Sequence, residues 1–216
     1  MELDDHILLE EDGLILLNKP AGLPSTGATL EAPGNLQHEL MQRYRRMIWA
    51  VHQLDRDTSG LNVFVRRKAL VQEWTARMKR GQKHYLALCH GVVAPDHQVV
   101  DEPLGWIAAR RRRGITAEGT PARSELRVLG RGEEATLLQV ILHTGRSHQV
   151  RLHLEHLGHP LLGEDRYREP PSQAAPRQML HAWRLELDGR TLEAPLPADF
   201  EATARAFALA DALPQP

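Results

Sequence analysis

Leu185-Glu186-Leu187-Asp188-Gly189-Arg190-Thr191-Leu192-Glu193 carries the strongest short hairpin signal in this chain of 216 residues. Two short β-prone runs flank an Asp-Gly pair, and a two-residue connection of that type joins antiparallel strands. Other segments repeat the theme. Leu14–Leu17 is a continuous apolar run and reads as a buried strand that ends in the turn Asn18-Lys19-Pro20-Ala21-Gly22. Leu61–Val65 alternates and is β-prone. Tyr85–Val93 reads as a strand, and Leu126–Leu129 is separated by Gly130-Arg131-Gly132 from a further strand at Thr136–Leu142.

Helices are fewer. Asn35 is a good N-cap for a helix whose Leu36, Leu40 and Tyr44 recur at helical spacing. Leu70, Trp74 and Met78 mark one face of a second helix that Gly81 can close. Ser147 is placed to cap a third, with Val150, Leu154 and Leu157 on its buried face and Gly158 and Pro160 at its end. The tail Asp199–Leu213 reads as a terminal helix. Strands joined mostly by hairpins, with few helices, predict an α+β class with an antiparallel-rich sheet. Residues 105–120 and 168–178 read as loops.

Composition narrows the function classes. Hydrophobic residues make up 42% of the chain and charged residues 25%, which is ordinary for a soluble globular protein. No apolar run approaches the roughly 20 residues of a membrane-spanning helix. The acidic start, MELDDHILLEEDG, lacks the basic and apolar regions of an export signal. The single cysteine, Cys89, excludes an internal disulfide, and a cytoplasmic home is expected. Net charge is −1, yet basic residues cluster at 43–46, 66–68, 77–83 and 110–113. Such clusters can hold phosphate or can be solvated surface. The four consecutive arginines are the hardest to read as idle surface, because the run repels itself.

Two stretches can carry chemistry. In His52-Gln53-Leu54-Asp55-Arg56-Asp57-Thr58-Ser59-Gly60, two carboxylates flank an arginine just before a strand. An aspartate kept ionised by a nearby cation can act as a nucleophile. The same residues are also good turn formers. In an extended segment Asp55 and Asp57 would share a side; in a turn they need not. The second stretch, Thr144-Gly145-Arg146-Ser147-His148-Gln149-Val150-Arg151-Leu152-His153, opens a helix whose N-terminus and basic side chains suit phosphate or a carboxylate from elsewhere in the fold. Five histidines fall between 143 and 159. The His-Glu-x-x-His pattern and cysteine pairs are absent, so no metal site is expected. Neither a P-loop nor a Gly-x-Gly-x-x-Gly motif is present to suggest a nucleotide cofactor.

These blocks resemble RluA-type pseudouridine synthases. His52–Gly60 is similar to the family signature His-Arg-Leu-Asp-x-x-Thr-Ser-Gly, Asn18–Gly22 to Asn-Lys-Pro-x-Gly, Lys83-His84-Tyr85-Leu86-Ala87 to Lys-x-Tyr-x-Ala, and Thr144–His153 to the Thr-Gly-Arg block. Gly158–Gly163, Tyr167 and Leu180-His181-Ala182 continue the match, in family order, over roughly residues 14–197. The resemblance implies a mixed, mainly antiparallel sheet flanked by helices, with a catalytic cleft between two lobes. It implies one catalytic domain over residues 1–216, with no separate N-terminal RNA-binding domain and selection resting on loops such as 105–120. It implies isomerisation of uridine to pseudouridine in an rRNA or tRNA stem-loop by a monomer, with no DNA or membrane partner and no cofactor. By the same resemblance Asp55 is the nucleophile, Arg151 supports its carboxylate, and Tyr85 packs against the target base. Arg151→Ala is then expected to cost activity more than stability. Lys19 positions its loop or a phosphate, and Asp57 is structural. Gln53 stands where relatives carry arginine, which leaves Arg56 as a candidate substitute. Two other classes, a non-catalytic RNA-binding module and a histidine-ligated metallohydrolase, fit the intact Asp55, Tyr85 and Arg151 set less well.

Overall fold

A computed structural model describes residues 3–215; Met1 and Glu2 of the acidic start lie outside the described residues. The chain divides into two compact units, one of residues 1–82 and 182–196, the other of residues 83–181 and 197–216.

The first unit opens with β1 (Ile7–Glu11) and β2 (Leu14–Lys19), an antiparallel hairpin turned by Asp12 and Gly13, both at positive φ. The run Leu14–Leu17 is buried throughout, as its lack of alternation predicts. Helix α1 (Leu36–Tyr44) starts where Asn35 caps it, its side-chain oxygen accepting the His38 N–H at 3.0 Å. Leu36 and Leu40 then pack with Ile15, Leu17, Ile48 and Phe64. A short strand β3 (Trp49–Ala50) pairs with β4 (Ser59–Val65). Alternation in Leu61–Val65 predicts one buried face, but every residue of β4 is buried. The polar position, Asn62, is enclosed with the rest. Helix α2 (Leu70–Arg80) buries Trp74 and Met78, and Gly81 ends it in an extended conformation rather than a left-handed one.

The second unit begins with β5 (Gln82–His90), most of which lies in it, and continues with β6 (His97–Asp101), β7 (Leu104–Ile107), β8 (Arg112–Ile115), β9 (Arg123–Arg131), β10 (Ala135–Leu142) and helix α3 (Gln149–His156). Its sheet runs β5-β10-β9-β6, all antiparallel. Residues 105–120, expected as loop, instead contain a separate two-stranded sheet of β7 and β8. Gly105 pairs with Gly114 there, and Leu104, fully buried, anchors the hairpin beside Ala122, Leu152 and Tyr167. The arginine run therefore forms a short helical turn and a strand. Gly130 and Arg131 also belong to β9, whose register slips against β10 near Leu137.

β11 (Leu180–Leu187) and β12 (Arg190–Glu193) return to the first unit, which orders its strands β1-β2-β4-β11, with β3 beside β4 and β12 beside β11. Asp188 and Gly189 connect β11 to β12 with φ of 51° and 75°, the geometry the Asp-Gly pair predicts. The tail is a shorter helix than expected, α4 (Ala198–Ala206), followed by a 3-10 turn at Ala210–Ala212.

The acidic start is tied to basic residues of its own unit. Asp4 pairs with Arg43, Glu10 with Arg66 and Glu11 with Arg190. The Tyr44 ring lies between the Arg43 and Arg66 guanidinium groups, at 4.7 and 4.6 Å. Two of the basic clusters are thus partly committed to internal pairs. Among the described residues no helix is long and apolar enough to cross a membrane.

Candidate active site

In the first unit the segment His52–Gly60 is a turn leading into β4. The Thr58 N–H donates to the Asp55 carbonyl at 3.1 Å, which closes a four-residue turn and resolves the choice between turn and extended chain. Leu54 is buried and anchors the segment; Asp55 is half-buried, while Gln53 and Arg56 are exposed. Gly60 follows at φ +108°, and a Cβ there would lie 2.2 Å from the Ala182 carbonyl oxygen. Only glycine lets β4 run that close to β11, so the Thr-Ser-Gly ending is dictated by packing as well as by the turn.

Lys19 fixes the turn from below. Its side chain is fully buried, and its Nζ donates to the carbonyls of Pro20 at 2.9 Å, Leu23 at 2.7 Å and Arg56 at 2.9 Å. A buried ammonium is tolerated when its three N–H groups are hydrogen-bonded. Here the acceptors belong to the Asn18–Gly22 turn, its extension and the Asp55 turn. Lys19 is therefore a clamp between two of the sequence blocks, in keeping with the positioning role expected for it. The Arg56 Nε donates to the Gly22 carbonyl at 2.9 Å and ties the same two segments together.

Two residues missed by sequence reasoning complete the support. The Ser25 hydroxyl donates to Asn62 Oδ1 at 2.8 Å and accepts the Leu54 N–H at 2.9 Å. Asn62 Nδ2 donates to the His52 carbonyl at 3.1 Å, and His52 Nε2 accepts the Val63 N–H at 3.2 Å. The signal was present, since a lone asparagine inside Leu61-Asn62-Val63-Phe64-Val65 must find buried partners.

The second unit holds Tyr85 and Arg151. Tyr85 lies on β5 opposite Val140 and is 8% exposed. Arg151 lies on α3, buried, and forms a bidentate pair with Glu164: Nε to Oε2 at 2.8 Å and Nη2 to Oε1 at 2.6 Å. A second carboxylate, Asp165, lies 3.3 Å from the same Nη2. Glu164 is fully enclosed, and its Oε1 also accepts the N–H groups of Arg166 and Tyr167 at 3.0 and 3.1 Å. Burial alone would push this carboxyl up; the Arg151 guanidinium and the two backbone donors more than offset it and hold it below the usual range. The Tyr167 ring centre lies 5.1 Å from the Arg151 guanidinium carbon. A carboxylate from elsewhere in the fold thus does meet this helix, and it includes Glu164, which spacing alone did not single out.

The start of α3 differs from expectation. His148, at φ 59°, occupies the cap position that Ser147 was expected to fill, and no side chain caps from there. Gln149 does the work instead. Its Oε1 accepts from the Arg146 N–H at 3.0 Å and the Thr144 hydroxyl at 2.7 Å, and its Nε2 donates to the Arg123 carbonyl at 3.0 Å. His153 is buried between Ser124 Oγ at 2.9 Å and the Glu102 carbonyl at 3.2 Å, and burial lowers its pKa.

The family model described as RNA pseudouridylate synthase matches residues 13–156, which span the Lys19, Asp55 and Tyr85 segments and the whole of α3. The chain belongs to the RNA pseudouridylate synthase family. It is 40% identical over 225 residues to the ribosomal large subunit pseudouridine synthase D of Nitrosomonas europaea, covering 93% of this chain and 64% of that protein. It is 35% identical to the dual-specificity RNA pseudouridine synthase RluA of Escherichia coli, covering 90% of this chain and 93% of that one. The chain spans less than two-thirds of the length of the Nitrosomonas relative and of the uncharacterized RNA pseudouridine synthase of Chloroflexus aurantiacus. Among solved structures, the human RNA Pseudouridylate Synthase Domain Containing 4 aligns with a TM-score of 0.76 at 23% identity, covering 95% of this chain and 94% of that one. That likeness bears out the mixed α+β fold of the family.

Proposed function

We propose that this chain isomerises uridine to pseudouridine in RNA, with Asp55 as the nucleophile. The observation that carries the reading is the Asp55 turn itself. Lys19, Ser25 and Asn62 hold its backbone while the Asp55 side chain stays partly open to solvent. A reactive carboxylate on a backbone that cannot shift is what a positioned nucleophile requires.

The reaction breaks the N1–C1′ glycosidic bond and forms a C5–C1′ bond. C5 loses a proton and N1 gains one, so atoms balance with no cofactor or co-reactant. Asp55 attacks the target nucleoside, and the freed uracil turns before it reattaches. Tyr85 packs against that base and assists removal of the C5 proton. Arg151 acts as a fixed cation, and Glu164 sets its orientation. These roles for Tyr85 and Arg151 rest on the motif match. Exposed Gln53 hydrogen-bonds RNA without charge, and exposed Arg56 supplies a cation on the same turn. Residues 1–216 work as one catalytic domain, and the substrate is a stem-loop of ribosomal RNA, in line with the ribosomal names of relatives. The basic clusters not engaged in internal pairs hold its phosphates.

The test is Asp55→Asn on RNA labelled with tritium at uracil C5. The wild-type protein releases tritium to water; the variant keeps the far-ultraviolet spectrum of the folded chain and releases none. Release by the variant at the wild-type rate removes Asp55 from this role.

A further inference from the structure

A cavity of about 700 Å³ opens beside the Asp55 segment, lined wholly by residues of the first unit. Gln53, two residues before Asp55, is part of its wall, together with Trp49, Gln37, Gln72, Lys68 and Thr29. No carboxylate lines it.

The wall is pre-formed. Gln37 is buried, and its Nε2 donates to the Ile48 carbonyl at 2.7 Å, which fixes the carboxamide. The loop opposite is pinned by Asn35, whose Nδ2 donates to the Ala32 carbonyl at 2.6 Å. A Cβ on Gly27 would come within 2.7 Å of both Ala32 Cβ and Asn35 Nδ2, so this loop is packed against its own base. Asn35 thus serves two ends: it caps α1 and shapes the cavity.

The lining selects a chemical class. Two exposed carboxamides, Gln53 and Gln72, offer the donors and acceptors that the edge of a nucleobase requires, while Gln37 is held to Ile48 and forms the fixed floor. An indole offers a face on which any base can stack. One lysine suits one phosphodiester. A free multivalent anion would call for more cations, a metal ion for carboxylates, and an aliphatic ligand would leave the exposed Gln53 and Gln72 amides unmatched.

We propose that this cavity receives an unpaired nucleotide of the substrate RNA, a near neighbour of the target uridine, and so acts as a specificity-determining subsite. The inference rests on the synthase reading and deepens it. Gln53 and the target-facing Asp55 belong to one short segment, so a base docked against Gln53 holds the strand in register with the nucleophile. Gln53 then has a task of its own as a hydrogen-bonding partner rather than a weakened stand-in for arginine.

The test fills the cavity. Ala69 is exposed on its wall, so Ala69→Trp places an indole in the space without touching the core. Gln72→Ala removes one exposed carboxamide and serves as a second, milder variant. The probe is a short fluorescein-labelled oligouridylate, with an RNA duplex of equal length as the control. Ala69→Trp is expected to keep the wild-type melting temperature and to weaken single-strand binding roughly tenfold or more, the scale of one lost stacked base. Gln72→Ala is expected to lose less, and duplex binding to change in neither. On a ribosomal RNA transcript the same loss is expected chiefly in KM. Wild-type affinity and KM in folded Ala69→Trp overturn the subsite while leaving the synthase reading intact. Conversely, a wild-type protein that isomerises no uridine in cellular RNA ends the synthase reading, whereas lost oligouridylate binding in Ala69→Trp still sustains the subsite.

Discussion

The Lys19 ammonium donates to the Arg56 carbonyl at 2.9 Å, so the last residue of one strand holds the turn that carries Asp55. Lys19→Met keeps the apolar stem but leaves three carbonyls without their donor. Each buried group left unmatched costs about 1–3 kcal/mol, so a total loss of roughly 3 kcal/mol is expected after partial relaxation. Protein that remains folded is expected to bind RNA normally and turn over at least tenfold more slowly, because the turn shifts. Lys19→Arg is not expected to rescue it, since a planar guanidinium cannot match three converging carbonyls. Urea titration and a separation of kcat from KM check both expectations.

Arg151 was expected from sequence to matter more for activity than for stability. Its bidentate partner Glu164 is fully buried, so a large stability cost is expected beside the loss of activity. Arg151→Ala strands a carboxylate in the core, a change that costs about 3–5 kcal/mol. Glu164→Gln, neutral and of the same shape, is expected to cost less. The double variant Arg151→Ala/Glu164→Gln is expected to recover part of the loss. Thermal denaturation of the four proteins completes the cycle; additive losses would separate the two residues.

Acidification is expected to destabilise the fold through histidines as well as carboxylates. Burial lowers the pKa of His153 and of His90 below the ordinary value of about 6.5. The unfolded chain therefore binds protons that the folded chain excludes. The stability this brings is fully present above the unfolded value and is lost as pH falls through the folded one. The melting temperature is expected to decline from pH 7 to pH 5, and less steeply in His153→Gln. An identical slope in that variant would exclude His153 as a source.

Cys89 sits in β5 with its thiol donating to the Thr136 carbonyl at 3.5 Å, and burial pushes its pKa up to about 12. A thiol held protonated is unreactive. A disulfide reagent at pH 8 is expected to label the native protein only at the rate of unfolding, and the denatured protein at once.

Local signals were legible where a local interaction makes the element. Asp188-Gly189 turns a hairpin because both residues take positive φ, and Asn35 caps α1 through a bond three residues away. The α+β class follows from several such hairpins, and the site blocks follow from motifs. The failures share one cause, a partner distant in sequence. The β7–β8 sheet is held by Leu104 in a cluster with Leu152 and Tyr167, which no pattern within 105–120 reports. The start of α3 is fixed by Gln149 reaching Arg123, so Ser147 was the wrong cap despite its good propensity. Glu164 meets Arg151 across the turn that Gly158 begins, and Phe64 of β4 is covered by Leu36 and Leu40 of α1, residues far from it in sequence.

The ion pairs of the acidic start have one more effect. β1 is the outermost strand of its sheet, where an unpaired rim of backbone groups invites a strand from another molecule. Glu10 and Glu11, tethered to Arg66 and Arg190, crowd that rim with charge, and the register slip between Ile7 and Leu9 bends it. A bent, charged rim gives an incoming strand no flat ladder to extend. Neutralising Glu10 and Glu11 is therefore expected to make concentrated solutions of the protein more prone to edge-to-edge aggregation, which light scattering would read.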